Sequence, residues 1–249
     1  MHYTQSNLTH GYTDQYLSID IRSKTISIKE LDPEIRDFFI GGRGLGLYLL
    51  HKRINRKTKA TDPENPLIFS PGPLGGIPQF PGTSKCMAVS LSPLTGIPGV
   101  SNFGGHFGPF LKYAGFDLME ITGNARDHMM VVINAFTQEI TLVDAPYIEE
   151  VFELETFLTN LYTEQGYDKK QIVFVTSGLG ADNTHYGCIN SHYYDPTKPV
   201  NGKKGVFRTK QAGRTGLGSV MHNKNLSSVV ILATYPKGNN PYGAHDWEK

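Results

Sequence analysis

The chain has 249 residues, enough for one large domain or two small ones with a substantial buried core. Its 24 basic and 23 acidic residues leave a formal net charge of +1, which argues against nucleic acid or an anionic membrane surface as a partner. The two cysteines are too few for a disulfide framework, or for a zinc or iron–sulfur site with four thiolates from this chain.

The first residues show no basic stretch followed by an apolar run, and no segment approaches the ~20 apolar residues needed to cross a bilayer. The sequence therefore predicts a cytoplasmic protein without a membrane partner. Its 27 glycines are clustered rather than spread as in a flexible linker. Clustered glycines indicate places where another group approaches the backbone closely.

The first part of the chain predicts a hairpin followed by two helices. Residues 16–21 and 25–31 alternate polar and apolar around a polar turn, as in a β-hairpin. Pro33 marks the start of a helix, which the glycine turn 41–44 interrupts. Apolar spacing then resumes, and we expect the second helix to end near Ile54.

The rest of the chain is predicted to be rich in strands. Short apolar runs predict strands at 67–70, 87–91, 118–122, 129–134, 139–143, 172–176 and 227–233. The runs at 129–134 and 139–143 plausibly pair, and residues 148–162 have helical spacing. The polar, basic stretch 192–210 is predicted to be a long surface loop.

This mixed order of elements favours an α+β fold over a regular βαβ alternation. We expect one domain over residues 16–234, with an N-terminal tail at 1–15 and a C-terminal tail at 235–249. No tandem repeat is evident in the sequence.

Three glycine-rich turns, at 41–46, 101–108 and 212–218, each precede a helical pattern. The N-terminus of a helix presents unpaired N–H groups and a partial positive charge, so each turn could seat a phosphate. A tight connection or a helix cap is the structural alternative for any one of them. Three such turns, two of them with an arginine, favour a ligand with several phosphates bridged by a divalent ion. The first turn lacks the spacing of a dinucleotide-binding fingerprint.

Two further residues have both a functional and a structural interpretation. His106 in the second turn could contact a ligand, although a lone histidine more often caps or packs. Lys85 precedes a predicted strand and could face the same ligand, although a solvated lysine is the plainer alternative.

The glycine turns and several other segments together resemble a known family. Seven segments resemble, in order and spacing, the N-terminal domain of aldehyde:ferredoxin oxidoreductases, and the match runs from about residue 16 to 233. The segments are 41–46, 63–68, 72–74, 92–96, 102–108, 111–117 and 212–226.

This resemblance implies a β-rich domain that forms a base for a tungsten- or molybdenum-bis-pyranopterin, whose two phosphates are joined by Mg²⁺. By the same resemblance, main-chain carbonyls of Asn102 and Gln211 are expected to bind the magnesium. The residues expected at the cofactor are Arg43, Gly44, Lys85, Asn102, Gly104, Gly105, Lys210, Gln211, Gly213 and Arg214.

The chain departs from the family in two ways. Lys85 and the pair Lys210-Gln211 stand where the family has an arginine and an Arg-Ala pair, so the bidentate guanidinium is lost at both places. The cluster cysteines and the catalytic glutamate and histidine of the family lie after this domain. We therefore expect no iron–sulfur cluster and no catalytic residue in this chain.

Three hypotheses follow. The chain could be one component of a split aldehyde oxidoreductase and inactive alone. Its partner subunit would carry the iron–sulfur and catalytic domains and pass electrons to ferredoxin. Self-association into a homodimer is the other expected assembly. Alternatively, it is a pterin-binding or carrier module without redox chemistry, or a degenerate stand-alone domain. A binder of some other phosphorylated ligand remains a third option.

Overall fold

The computed structural model describes residues 1–77, 82–200 and 203–237. The first half contains, in chain order, β1 (Gln15–Asp20), β2 (Thr25–Glu30), α1 (Pro33–Phe39), α2 (Arg43–Arg53), β3 (Leu67–Pro71), β4 (Cys86–Leu91), β5 (Pro98–Phe103), α3 (Phe107–Tyr113) and β6 (Leu118–Thr122). Its six strands form one sheet in the order β2-β1-β6-β3-β4-β5.

The second half forms another six-stranded sheet. It contains β7 (Met129–Asn134), β8 (Glu139–Asp144), α4 (Val151–Glu164), β9 (Ile172–Thr176), β10 (Ile189–Val200), β11 (Lys203–Ala212), α5 (Leu217–Asn223) and β12 (Leu226–Leu232). Here the strand order is β11-β10-β9-β12-β7-β8.

The two sheets share one topology. Each half opens with an antiparallel hairpin, and the first strand of that hairpin pairs in parallel with the last strand of the half. In the first half, β6 is antiparallel to β3, β3 to β4 and β4 to β5. In the second half, β12 is likewise antiparallel to β9, β9 to β10 and β10 to β11. Strands β5 and β11 are therefore corresponding sheet edges, although no tandem repeat is evident in the sequence.

Two short helices lie between the sheets. Every residue of α3 is buried, and α3 approaches β3 of the first sheet as well as β9, β10 and β12 of the second. Helix α5 likewise approaches β3 and β4 as well as β10 and β12. The main hydrophobic cluster joins both sheets through these helices, while α2 and α4 cover the two outer faces. The α+β fold expected from the sequence is confirmed.

Most predicted helices and strands are confirmed, and for several of them the sequence shows the local reason why they form. Asp32 caps α1 by accepting a hydrogen bond from the Glu34 N–H at 2.9 Å, and Pro33 occupies a first-turn position. Helix α2 ends at Arg53, and the hairpins β1–β2 and β7–β8 form as predicted. Strand β5 was not predicted, because Pro98 and Gly99 at its start resemble a turn.

The surface loop predicted at 192–210 is wrong. Residues 192–200 belong to β10 and residues 203–210 to β11, and the two strands pair antiparallel with an irregularity between Asp195 and Pro199. Strand β9 pairs with β10 only from Asn190 to Tyr193, so the rest of the hairpin extends beyond the sheet. Such a ribbon needs no apolar face, and lysine and proline are common on exposed strand edges, so its composition resembles that of a loop.

The N-terminal segment 1–15 is part of the domain rather than a tail. The Met1 ammonium donates to the Ile140 carbonyl at 2.8 Å, and Tyr3 is buried against Phe116. Further along, the Asp117 carboxylate accepts the N–H groups of residues 13 and 14 and binds the buried Lys112 ammonium at 2.9 Å. Of the predicted tail 235–249, residues 238–249 lie outside the described part of the chain.

Lys224 connects the two halves from a buried position. Its side chain is 1% exposed and its ammonium donates to the carbonyl of Gly123, the residue after β6, at 3.1 Å. Burial lowers the pKa of Lys224 from 10.5 to about 8, against the opposing influence of Asp20 and Glu64. A charged lysine is thus tolerated here at a cost to stability.

We predict that the free energy of unfolding rises as the pH increases from about 8 to 10.5. In that range the unfolded chain binds more protons at Lys224 than the folded chain, so stability increases with pH by up to about 3 kcal/mol. Urea unfolding of the wild type and of Lys224→Met at several pH values measures this contribution. Lys57→Met, at an exposed lysine, is the control; parallel pH profiles for wild type and Lys224→Met would contradict the prediction.

Candidate functional site

The second and third glycine turns occupy equivalent places in the two halves. Gly104 follows β5 and Gly213 follows β11, and each turn leads into an inter-sheet helix. Asn102 lies opposite Met87 in the β4–β5 pair, and Gln211 lies opposite Asn190 in the β10–β11 pair. The two expected magnesium-binding residues are therefore topological counterparts, on edge strands that approach each other.

Each turn lies against the opposite sheet. The Arg214 N–H donates to the buried Ser101 hydroxyl of β5 at 3.1 Å, and the buried Ser92 hydroxyl donates to the Thr215 carbonyl at 2.7 Å. The turn at 92–96 thus positions the third glycine turn. In the reverse direction, Gly105 lies close to Ser191 and Tyr193 of β10.

Packing within the chain does not require a glycine at two of these positions. A Cβ atom on Gly104 would meet nothing closer than 3.8 Å, from Lys85 Nζ and Lys210 Cγ, and one on Gly213 nothing closer than 3.8 Å, from Cys188 Sγ. Gly105, by contrast, has φ +92°, and a Cβ on Gly44 would come within 2.2 Å of the Phe39 carbonyl oxygen. Gly104 and Gly213 leave open backbone where a ligand could approach, whereas the fold itself explains Gly44 and Gly105.

Three cations lie beside these open turns, namely Lys85, Lys210 and Arg214, and Arg43 shares a cleft with Lys85. Arg43, Lys85, Lys210 and Arg214 are exposed, and within the described residues none of their side chains makes an ion pair or a hydrogen bond. Unpaired cations beside exposed backbone create a positive potential suited to a phosphate or another anion.

The first glycine turn contributes a cleft beside this base. The Gly42 N–H donates to the Pro71 carbonyl at 3.0 Å, which fixes the start of α2 over the end of β3. Arg43 and Lys85 line the same cleft, together with Met87. The first and second glycine turns are consequently linked across the first sheet through the row formed by Ser70, Met87 and Asn102.

The His106 side chain contacts two tyrosines. Its ring lies 4.8 Å from that of Tyr193, and the Tyr235 hydroxyl is 3.2 Å from His106 Nδ1. Burial lowers the pKa of His106, while Asp195 acts in the opposite direction. These contacts favour the structural interpretation of His106. Sequence reasoning did not identify Tyr235, although an aromatic residue just after the last strand could have suggested a packing contact.

The described residues offer no alternative metal centre. Cys86 is buried, which raises the pKa of its thiol, and Cys188 is half-buried. Within the described ranges, no group of three or more His, Cys, Asp or Glu side chains could hold a metal ion. No helix in the described part of the chain is long and apolar enough to cross a membrane.

Comparison with known proteins identifies the family. The family model described as aldehyde ferredoxin oxidoreductase, N-terminal domain, matches residues 16–233. This chain belongs to that family.

Two curated relatives come from species of the genus Pyrococcus. The tungsten-containing aldehyde ferredoxin oxidoreductase of Pyrococcus horikoshii is 31% identical over 221 residues, covering 89% of this chain and 33% of the relative. The aliphatic sulfonate oxidoreductase, WOR-like subunit, of Pyrococcus furiosus is 30% identical over 239 residues, covering 91% of this chain and 35% of the relative. The chain thus spans about a third of the length of the curated relatives it matches.

A solved structure supports the fold. The active-site complex BamBC of benzoyl coenzyme A reductase, in complex with 1,5-dienoyl-CoA, superposes with a TM-score of 0.76 and 24% identity. The match covers 94% of this chain and 32% of that one. At this identity the likeness concerns the fold alone.

We predict that Ser101→Ala loosens the third glycine turn. The substitution removes the acceptor of the Arg214 N–H, a neutral hydrogen bond worth about 0.5–1.5 kcal/mol. Amide hydrogen exchange at Arg214 should accelerate, and urea unfolding should report a loss of that size. Ser23→Ala, in the exposed β1–β2 turn, is the control; unchanged exchange at Arg214 would show that Ser101 does not position the turn.

Proposed function

We propose that this chain is the pterin-cofactor-binding component of a tungsten or molybdenum aldehyde:ferredoxin oxidoreductase-type enzyme. The observation that carries the proposal is the pair of equivalent turns at Gly104 and Gly213. Both expose backbone that packing leaves open, and both adjoin cations that form no ion pair in the described part of the chain. A base for two phosphates needs these features.

The residues present fit such a cofactor. The main-chain carbonyls of Asn102 and Gln211 would bind Mg²⁺ between the two pterin phosphates, since Mg²⁺ prefers oxygen ligands shared with phosphate. Lys85 and Lys210 would act as counter-charges near Gly104, and Arg214 near Gly213. Arg43 would contribute from the cleft of the first turn, with Gly44 and Gly105 shaping the backbone.

When bound, the metal–pterin group would supply the two-electron redox chemistry, while this chain binds and orients it. We infer that the iron–sulfur cluster and the acid–base residues come from another subunit, through which electrons would reach ferredoxin. The relative named as a WOR-like subunit supports a multi-subunit arrangement. The chain's coverage of about a third of its relatives agrees with one domain of a larger or multi-subunit enzyme.

One observation favours a second candidate, a pterin-binding module without redox chemistry. Lysines at 85 and 210 provide charge without the planar, bidentate fork of an arginine, so they orient a ligand less rigidly. Tungsten, molybdenum and pterin analysis of the chain purified with and without the protein that carries the iron–sulfur region separates the two. Viologen-linked aldehyde oxidation only in the joint preparation supports the split enzyme, whereas pterin binding without oxidation supports the module.

We predict that Gly213→Ala and Arg214→Ala lower the pterin content without lowering the melting temperature of the cofactor-free chain. A methyl group on Gly213 meets no atom of the chain closer than 3.8 Å, so only a ligand would encounter it. Loss of a charge-assisted hydrogen bond at Arg214 should weaken cofactor retention about ten- to a hundredfold. Pterin and metal content per chain, measured beside thermal unfolding, provides the test.

The matched control for this prediction is Gly180→Ala. Gly180 also has no atom within 4 Å of an added Cβ, but it lies in the loop between β9 and β10. It should change neither property. Wild-type pterin content in both Gly213→Ala and Arg214→Ala would remove the third turn from the proposed site.

A further inference from the structure

A groove of about 420 Å³ lies on the outer face of the second sheet, between α4 and the edge strand β8. Its lining is largely apolar and includes Met130 and Val132 of β7 as well as Phe157 and Leu161 of α4. Phe157 and the β8 residue Val143 are each 36% exposed, so apolar walls of the groove are open to solvent. All of its lining residues belong to the described part of the chain.

The first half has a polar surface at the corresponding place. There Ser18 of β1 lies opposite Glu120 of β6, and its hydroxyl donates to the Glu120 carboxylate at 2.7 Å. Arg53, at the end of α2, donates to the same carboxylate at 2.9 Å. The corresponding pair in the second half is Val132 of β7 opposite Val230 of β12. The shared topology therefore does not require an apolar surface here, and an uncovered apolar surface marks a contact with another molecule.

The free edge of β8 is partly occupied by the chain's own N-terminus. The Ile140 N–H donates to the Met1 carbonyl at 2.8 Å, and the Tyr3 N–H donates to the Gln138 carbonyl at 2.9 Å. Among the described residues this leaves only 141–144 of β8 for an added strand. The arrangement favours a partner that lies on the face of the sheet rather than along its edge.

The dimensions of the groove suit an α-helix. Two strand spacings, from β12 across β7 to β8, measure about 10 Å, which is close to the diameter of a helix with its side chains. Helix α4 has 14 residues and is therefore about 21 Å long, so a helix of similar length fits beside it. Two helices side by side on one sheet face form a common layer.

The charges around the groove are acidic. Glu139 and Asp144 line its β8 side, and no lysine, arginine or histidine is among the described residues that line it. Glu153 and Glu164 are exposed on the face of α4 that borders the groove, at helical spacing from its lining residues. Except for Asp144, which is 3.6 Å from Lys24, none of these carboxylates makes an ion pair within the described ranges. A partner with lysine or arginine beside its apolar residues fits this arrangement.

A second copy of this chain does not supply such a helix from its described part. Helices α1, α3 and α5 have seven residues each, and α2 packs its apolar residues on the first sheet. The remaining helix, α4, is itself acidic and has no basic residue. The expected occupant is therefore a different protein.

We propose that this groove binds one amphipathic α-helix of a partner protein, with an apolar stripe and lysine or arginine on both sides of it. The apolar stripe covers Met130, Val132 and Phe157, while the basic side chains approach the four carboxylates. This is the helix-in-groove mode of recognition. The groove contains none of the residues proposed to bind the pterin, so this interaction is additional to the proposed function.

The test is fluorescence anisotropy of a labelled synthetic peptide titrated with the full chain in about 0.1 M salt. The peptide has about 18 residues of leucine, alanine and lysine, with leucines at helical spacing on one face and lysines on both sides of that stripe. We expect one saturable site with a Kd on the order of 10⁻⁵ M. Binding should weaken at least about tenfold in about 0.5 M salt, which screens the charges.

Two control peptides identify what the groove recognises. A peptide with the same composition in scrambled order has no apolar stripe, and a peptide with glutamate in place of lysine has the opposite charge. Both should bind at least about tenfold more weakly. Equal affinity for the scrambled peptide would reduce the interaction to general charge attraction and overturn the proposal, and equal affinity for the glutamate peptide would do the same.

Variants locate the binding in the groove. Phe157→Ser should weaken binding of the lysine peptide about tenfold or more, and Val143→Thr by a smaller factor, because each removes apolar surface that the helix covers. Phe152→Ser is the matched control, since Phe152 is on the same helix and 60% exposed but does not line the groove. Glu153→Gln combined with Glu164→Gln should reduce the salt dependence. Circular dichroism shows whether each variant is folded.

Two results would end the proposal: no saturable binding of the lysine peptide up to about 1 mM, or equal affinity in wild type, Phe157→Ser and Val143→Thr. Self-association of the wild-type chain that Phe157→Ser abolishes in sedimentation would also overturn it, because a second copy would then cover the groove. The pterin hypothesis is tested separately, by cofactor content in Gly213→Ala and Arg214→Ala. A chain that binds the peptide but retains no pterin keeps the groove and removes the cofactor base.

Discussion

Each sheet of this protein positions the glycine turn of the other, and the candidate site depends on that exchange. The hydrogen bond from the Arg214 N–H to the Ser101 hydroxyl joins residues 113 positions apart in the chain. Gly105 lies in turn against β10. These contacts are possible because α3 and α5 are buried between the sheets, which brings the edges β5 and β11 together. The open backbone at Gly104 and Gly213 is thus held by the shared core rather than by either half alone.

The two halves share a topology but differ in chemistry. Thr176, Asn190 and Gln211 form a polar row across the second sheet, in which the threonine hydroxyl is paired with a histidine. The equivalent row of the first sheet contains Met87 between Ser70 and Asn102, and the Ser70 hydroxyl makes no hydrogen bond with the described residues. The two glycine turns are therefore equivalent in topology, while the rows of residues that lead to them differ in polarity.

The structure distinguishes among the glycines of the three turns. At Gly44 an added Cβ would meet the chain closely, and at Gly105 the positive φ would be strained, so the fold is a sufficient reason for these two glycines. At Gly104 and Gly213 packing gives no such reason. The glycines of the turns consequently divide into those that build the domain and those that leave room for something outside it.

The sequence by itself determined the type of most elements and the location of the glycine turns. Alternation predicted β1–β2, the Asp32-Pro33 pair predicted α1, and helical spacing predicted α4, because these signals act over a few neighbouring residues. The ribbon at 192–210 escaped prediction because a two-stranded extension needs no apolar face. Only the tertiary structure decided that Ser101 contacts Arg214 and that packing among the described residues leaves Gly104 and Gly213 open. Those properties depend on which strands become sheet edges and on how the two sheets share a core. They could not be predicted, because contacts between residues far apart in the chain produce no pattern among neighbouring residues.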